Sequence, residues 1–246
     1  MAQKIKEEKK KKVNIFNFPA GAKAGSNFHK IMESLDFTLP KDRIFDVVKT
    51  DLSNVYSETY LSILADKIDD ILKTNIGTFC GENLYLKDID NSNKYAEVDF
   101  YLHLNDLKLF KDRLLKYFKH KNLNNFEQAL EKLTFASIEG YLNGFIDLIF
   151  IHNKKYYIVD WKFNHLGNSY NDYSQENLLK VITNANYYLQ YYIYLLALYE
   201  YLKYRIKNFN THYIGGIFYI FVRGVQKNNT STGIHYDKPI DFLKDI

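Results

Sequence analysis

A mixed β-sheet flanked by helices, an α/β fold, is what this 246-residue sequence predicts, and three observations predict it. Helical periodicity recurs between residues 26 and 133. Two β-rich apolar runs, separated by a short polar turn, follow between 137 and 162. A long helical stretch, 175–207, then precedes an apolar strand at 214–222. The length suits one large domain with a sizeable core. Apolar residues make up 46% and charged residues 25%, which excludes general disorder. With 3 Pro and 11 Gly there is no linker-rich stretch, so a single domain is expected over 13–246 after a basic tail at 1–12.

The elements follow in order. Ser26 is placed to cap a helix in which Phe28, Ile31, Met32 and Leu35 fall at i, i+3, i+4 and i+7. Residues 54–74 repeat the helical pattern. So do 105–133, with a break near Asn122 to Asn125. Glu97–Leu102 alternates as a strand does. Ser137–Ile151 and Lys155–Lys162 are rich in Ile, Phe, Tyr and Val, the residues that fit a pleated surface. Within 175–207, Ala185–Arg205 has no Gly or Pro and is dense in Tyr and Leu. Ile214–Val222 reads as an apolar strand bounded by Gly215–Gly216 and Gly224.

The formal net charge of +4 belongs to the tail, since Met1–Lys12 holds six Lys and two Glu. That tail reads as a solvated arm or linker. The body is electroneutral, so attraction to a polyanion must come from patterning, from bound metal or from a partner. The one cysteine, Cys80, cannot form an internal disulfide, and a reducing cytoplasm is the expected compartment. No apolar run is long enough to span a membrane, and the start carries no apolar signal region.

The most informative stretch is Gly144–Asp147 followed by Tyr156–Lys162. A hairpin symmetric about Asn153 and Lys154 sets Ile151 opposite Tyr156 and Asp147 opposite Asp160. Opposed residues have Cβ atoms about 4.5–5.5 Å apart, where like charges repel. Both aspartates interrupt apolar runs, so a positive group must sit between them or one must be protonated. Lys162, two residues beyond Asp160, shares its face. Two carboxylates and an ammonium suit Mg²⁺, which binds a few carboxylates and keeps waters. The competing reading is a structural ion pair at a sheet edge. His29 and Glu33 share a helix face by their spacing of four, which fits a metal ligand or a surface histidine. Tyr187, Gln190 and Tyr194, at i, i+3 and i+7, fit a phosphate-facing stripe or aromatic packing.

These residues carry a resemblance. Phe18–Gly21 with Gly25–His29, Glu33–Phe37, Glu97–Leu102, Gly140–Asp147, Asp160–Lys162 with Asn164 and Leu166–Gly167 occur in one order. Tyr187–Tyr194 with Ala197–Leu198, Gly215–Gly224 and Gly233–Ile234 continue it. The ordered set resembles the nuclease domain of RecB subunits (exodeoxyribonuclease V beta), in the PD-(D/E)xK superfamily. The resemblance covers Phe18 to about Pro239. It implies the restriction-endonuclease-like fold. It implies that His29, Asp147, Asp160 and the Trp161 carbonyl hold a divalent metal, that Lys162 is the catalytic lysine, and that Gln190 and Tyr194 form the Gln-xxx-Tyr motif beside the site. Glu97 matches an acidic position of the family. Ile146 stands where the superfamily name has Pro and Asp160 where it has Glu, as in other RecB-like domains. Trp161 replaces a usual Tyr and Phe163 a usual small polar residue.

The implied activity is Mg²⁺-dependent hydrolysis of phosphodiester bonds in single-stranded DNA, with Mn²⁺ or Ca²⁺ able to occupy the site. The implied setting is double-strand-break repair and recombination. The implied partners are a RecB helicase motor, RecC- and RecD-type subunits and a recombinase of the RecA type. No G-x-x-x-x-G-K-[ST] loop occurs in the 246 residues, so no P-loop motor is encoded in them. The lysine-rich start is what a linker to such a motor would look like. A nuclease-like module that docks DNA or a partner without cutting is the alternative. Such a module is expected to have lost an acid or the lysine, and all three are present.

Overall fold

The computed structural model describes residues 13–104, 107–133 and 140–244. The tail at 1–12 and the start of the strand expected at 137 lie outside the described residues. Three helices come first: α1 (Ala22–Ser34), α2 (Lys41–Leu52) and α3 (Glu58–Leu72). Strand β1 (Lys94–Leu104) leads to α4 (Leu107–His120) and α5 (Asn124–Glu131). The hairpin strands β2 (Gly140–His152) and β3 (Lys155–Lys162) precede α6 (Gln175–Asn184) and α7 (Tyr187–Arg205). Strands β4 (Ile214–Phe221) and β5 (Ile234–Asp237) and a short α8 (Ile240–Lys244) complete the chain.

The five strands form one sheet in the order β1-β2-β3-β4-β5. All neighbours are antiparallel except β3 and β4, which are parallel and joined through α6 and α7. A parallel pair needs such a crossover, and the expected mixed sheet is the result. One face packs under α1–α3, where Phe28, Ile31, Met32 and Ile68 meet Val159, Trp161 and Phe218. The other packs under α4–α7, where Phe118, Tyr188, Tyr192 and Leu195 meet Ile158, Ile217 and Tyr219. Both faces of β4 are covered and every residue in it is buried, so it reads as an unbroken apolar run.

Several boundaries differ from expectation. Ser26 does not cap α1, which begins a turn earlier at Ala22 behind Gly21 (φ 98°). The stripe Phe28, Ile31, Met32 and Leu35 is buried as expected. The 54–74 pattern contracts to α3, and α2 was not foreseen because only Ile44, Val48 and Leu52 mark its buried side. The break expected near Asn122 is real, with Asn122 at φ 56° between α4 and α5. The 175–207 stretch is two helices, divided at left-handed Asn186. Gly215 and Gly216 lie within β4, not at its edge. A Cβ on Gly215 would stand 2.3 Å from the Tyr157 ring, so close approach explains the glycine. β5 and α8 are too short to show a period.

One buried cation ties the start of the fold to its centre. Arg223 is fully buried beyond the end of β4. Its guanidinium donates to the carbonyls of Ile15 (3.0 Å), Phe16 (3.4 Å), Phe18 (2.9 Å), Pro19 (2.7 Å) and Phe163 (3.1 Å). It also lies 4.5 Å from the Phe163 ring centroid. The segment that enters α1 is thereby fixed to the residue that follows β3. Arg223→Met leaves these carbonyls buried without a donor and is expected to cost about 3 kcal/mol or more. Thermal unfolding is then expected roughly 6–12 °C lower; a drop below about 2 °C would contradict this assignment.

Candidate active site

The β2–β3 hairpin turns through Asn153 (φ 49°) and Lys154 (φ 62°), the two-residue turn with both residues left-handed that suits a twisted hairpin. Pairing runs from His152↔Lys155 to Leu148↔Val159, which is the expected register. The ladder ends there, so Asp147 and Asp160, expected to face one another at the next step, are not a ladder pair, and a side chain takes over. The Trp161 N–H donates to Asp147 Oδ2 at 2.8 Å.

On the other side of β2, Ala96↔Leu148 and Val98↔Ile146 bracket Glu97 and Asp147. Glu97 has φ 47°, a left-handed conformation costly for a residue with a Cβ. The strands rotate here. Ile146 packs in the α4–α7 core and Leu148 in the α1–α3 core, although residues two apart normally share a face. In β4, Tyr219 is the partner of Asp160. Asp160 and Tyr219 are thus paired, while Glu97 and Asp147 fall at the step where the regular pairing is interrupted.

Helices complete the site from both faces. From α1, His29 sets Nε2 3.0 Å from the Trp161 carbonyl and Nδ1 3.5 Å from Asp147 Oδ1. Ligand atoms of His29, Glu97 and Asp147 lie within 4.8 Å of one another. Glu33 lines the same cleft from its exposed side. On the α7 side, Lys162 Nζ lies 2.6 Å from Asp160 Oδ1 and donates to Gln190 Oε1 at 3.1 Å. Gln190 Nε2 donates to the Tyr194 hydroxyl at 2.7 Å. Asp160, expected among the metal ligands, is outside the His29–Glu97–Asp147 group and faces Lys162, while Gln190 and Tyr194 reach the site through Lys162. Tyr219 was missed, because a strand buried on both faces gives no alternation to single it out.

The electrostatics are those of crowded acids. Asp160 is 1% exposed, and burial pushes its carboxyl up to about 7. Lys162 opposes that shift and Asp147 adds to it. Burial also raises the Glu97 carboxyl, again with help from Asp147. For His29, burial works against the proton, but the Asp147 and Asp160 carboxylates and the Trp161 carbonyl outweigh it and the imidazole is raised. An imidazole, a carbonyl and neighbouring carboxylates that repel one another are a donor set suited to a divalent cation.

An acid raised in the fold takes up a proton more readily folded than unfolded. Its stability contribution therefore falls as pH rises from about 4, the unfolded value, to about 7, and stays low above. In chelator-treated protein, Asp160→Asn is expected to gain stability over wild type through that window and to keep the gain at pH 8. Thermal unfolding from pH 5 to 8 measures this; a difference that does not change with pH would contradict it.

No protein-family model matches the chain. The RecBCD enzyme subunit RecB of Buchnera aphidicola subsp. Schizaphis graminum is 36% identical over 248 residues, covering 96% of this chain and 19% of that protein. RecB of Escherichia coli K12 is 32% identical over 225 residues, covering 90% and 18% respectively. RecB of Haemophilus influenzae is 33% identical, covering 92% and 18%. The chain spans about one fifth of the length of these relatives. Because the identity extends over nine-tenths of the chain and the mixed sheet matches the expected fold, the chain corresponds to the nuclease domain of RecB, within the PD-(D/E)xK superfamily.

Proposed function

We propose that this domain hydrolyses DNA phosphodiester bonds with a divalent metal, Mg²⁺ by preference, as the nuclease of a RecBCD-type helicase–nuclease in double-strand-break repair and recombination. The observation that carries the reading is Asp147 beside His29 and Asp160 beside Lys162, the two carboxylates near enough to repel. In this reading His29, Asp147, Asp160 and the Trp161 carbonyl hold the metal, with Glu97 beside them. A hard divalent cation held there lowers the pKa of water and neutralises charge on a phosphoryl oxygen.

The side chains supply the rest. Hydrolysis forms one bond from a water oxygen to phosphorus and breaks one phosphorus–ester bond. Lys162 keeps positive charge beside Asp160 and offers it to the phosphate oxygens as charge builds on them. Gln190 holds Lys162 through Oε1 and Tyr194 through Nε2, which orders the α7 wall of the cleft. Buried Asp160 faces Lys162 and not solvent, so its position is fixed before any substrate arrives.

The substrate in this reading is single-stranded DNA delivered by a helicase motor in company with RecC- and RecD-type subunits. A RecA-type recombinase is a further partner of such an assembly, in the cytoplasm. The electroneutral body supports delivery by partners, since it neutralises few phosphates alone. Among the described residues, no helix is long and apolar enough to cross a membrane.

The test is cleavage of end-labelled single-stranded DNA with and without Mg²⁺. Wild type is expected to cut only with metal, Asp160→Ala not at all, and Lys162→Ala about 10²–10³ times more slowly. Cutting that survives Asp160→Ala would overturn the site assignment. Silence of the wild type, even with its motor and partner subunits, would favour a docking module.

A further inference from the structure

We propose that Tyr187 and Tyr219 are positioning residues that seat the Lys162 ammonium through their ring faces. The inference rests on the nuclease reading for its consequence, but the seating itself is a matter of geometry. A lysine is a point charge on a flexible four-carbon stem, and one hydrogen bond and one ion pair alone leave it free to pivot. Here Nζ lies 4.2 Å from the Tyr187 ring centroid and 5.1 Å from that of Tyr219. Both distances are inside the roughly 6 Å at which a ring face attracts a cation. The two rings are nearly parallel, 24° apart with centroids separated by 6.0 Å.

The rings are themselves fixed. Tyr219 is fully buried and neighbours Asp160 across the parallel pair β3–β4. Its single hydroxyl proton is shared between the Tyr187 carbonyl (3.1 Å) and Gln190 Oε1 (3.0 Å). The Tyr187 hydroxyl accepts from Asn164 Nδ2 at 3.3 Å. Gln190 Oε1 thus receives both Tyr219 and Lys162, and one oxygen locks the ring and the ammonium together. With one ammonium N–H given to Gln190 and the charge paired with Asp160, the rings set how the rest of the ammonium is turned toward a phosphate oxygen. Both tyrosines act through Lys162 and neither is a catalytic residue.

The experiment follows the Lys162 ε-methylene protons by NMR in the full chain carrying ¹³C-labelled lysine, assigned with Lys162→Arg, beside Mg²⁺-dependent cleavage of single-stranded DNA. Ring currents are expected to place the wild-type signal upfield of the other lysines. Tyr187→Leu is expected to move it back toward them and to lower kcat about tenfold with KM unchanged. Tyr187→Phe, which restores only the ring, is expected to recover most of both losses. Tyr187→Gln offers a second ring-free side chain should the leucine variant fail to fold. A Lys162 signal that stays in place without the ring, or a phenylalanine that recovers neither loss, would overturn the proposal. A wild type that never cuts, while its Lys162 signal still depends on the ring, would support the seating and count against the nuclease reading.

Discussion

The hydrogen bond from the Trp161 N–H to Asp147 Oδ2 occupies the point where β2 and β3 cease to pair. Had the ladder continued, the backbone groups beside Trp161 would have been used up between strands. Instead a side chain takes the N–H, and the carbonyl of the same residue faces His29. The strands rotate, Glu97 is held in a left-handed conformation, and acids from three adjacent strands come close enough to repel. Such crowding is unfavourable by itself. Burial and mutual repulsion push Asp160 and Glu97 toward their neutral forms. Structures keep strain of this kind where the surroundings over-determine it, most often at functional sites.

Here the surroundings are two cores that grip the sheet from opposite faces. The α1–α3 side brings His29, and the buried Arg223 holds the segment leading into α1 against the end of β3. The α7 side brings Gln190 and Tyr194, with Tyr187 and Tyr219 beneath Lys162. The abundance of tyrosine has a physical sense on this side. Tyr188, Tyr191, Tyr192 and Tyr219 bury rings as phenylalanine would, and the hydroxyls of Tyr191 and Tyr219 also reach polar partners within the core. Packing and polar organisation are thus supplied by the same residues. The cation-seating pair is one local instance.

How much of this was legible in the sequence depended on whether a single element carried the signal. The hairpin register was readable because a two-residue polar turn fixes it, and Asp147, Asp160 and Lys162 followed by counting. His29 and Gln190 lie on separate helices, and helical spacing could not tell a ligand from a surface or packing residue. Their place came from the resemblance, and the structure sets His29 against the Trp161 carbonyl and Gln190 against Lys162. Tyr219 left no trace, since its strand is apolar throughout. The left-handed Glu97 could not be foreseen either, because its conformation is imposed by the neighbouring strand. Helix boundaries failed for local reasons: Gly21 starts α1 before Ser26, and Asn186 divides a stretch that contains no Gly or Pro.

The central claim is that crowded acids between β2 and β3 are matched to a divalent cation. The direct measurement is thermal unfolding of the chelator-treated chain with increasing Mn²⁺, wild type against Asp147→Asn. The asparagine keeps an acceptor for the Trp161 N–H while removing the charge. The account predicts that wild type gains about 2.7 kcal/mol at a hundredfold excess over Kd, a rise of several degrees, and that the variant gains little. No rise in the wild type, or an equal rise in both, would contradict it.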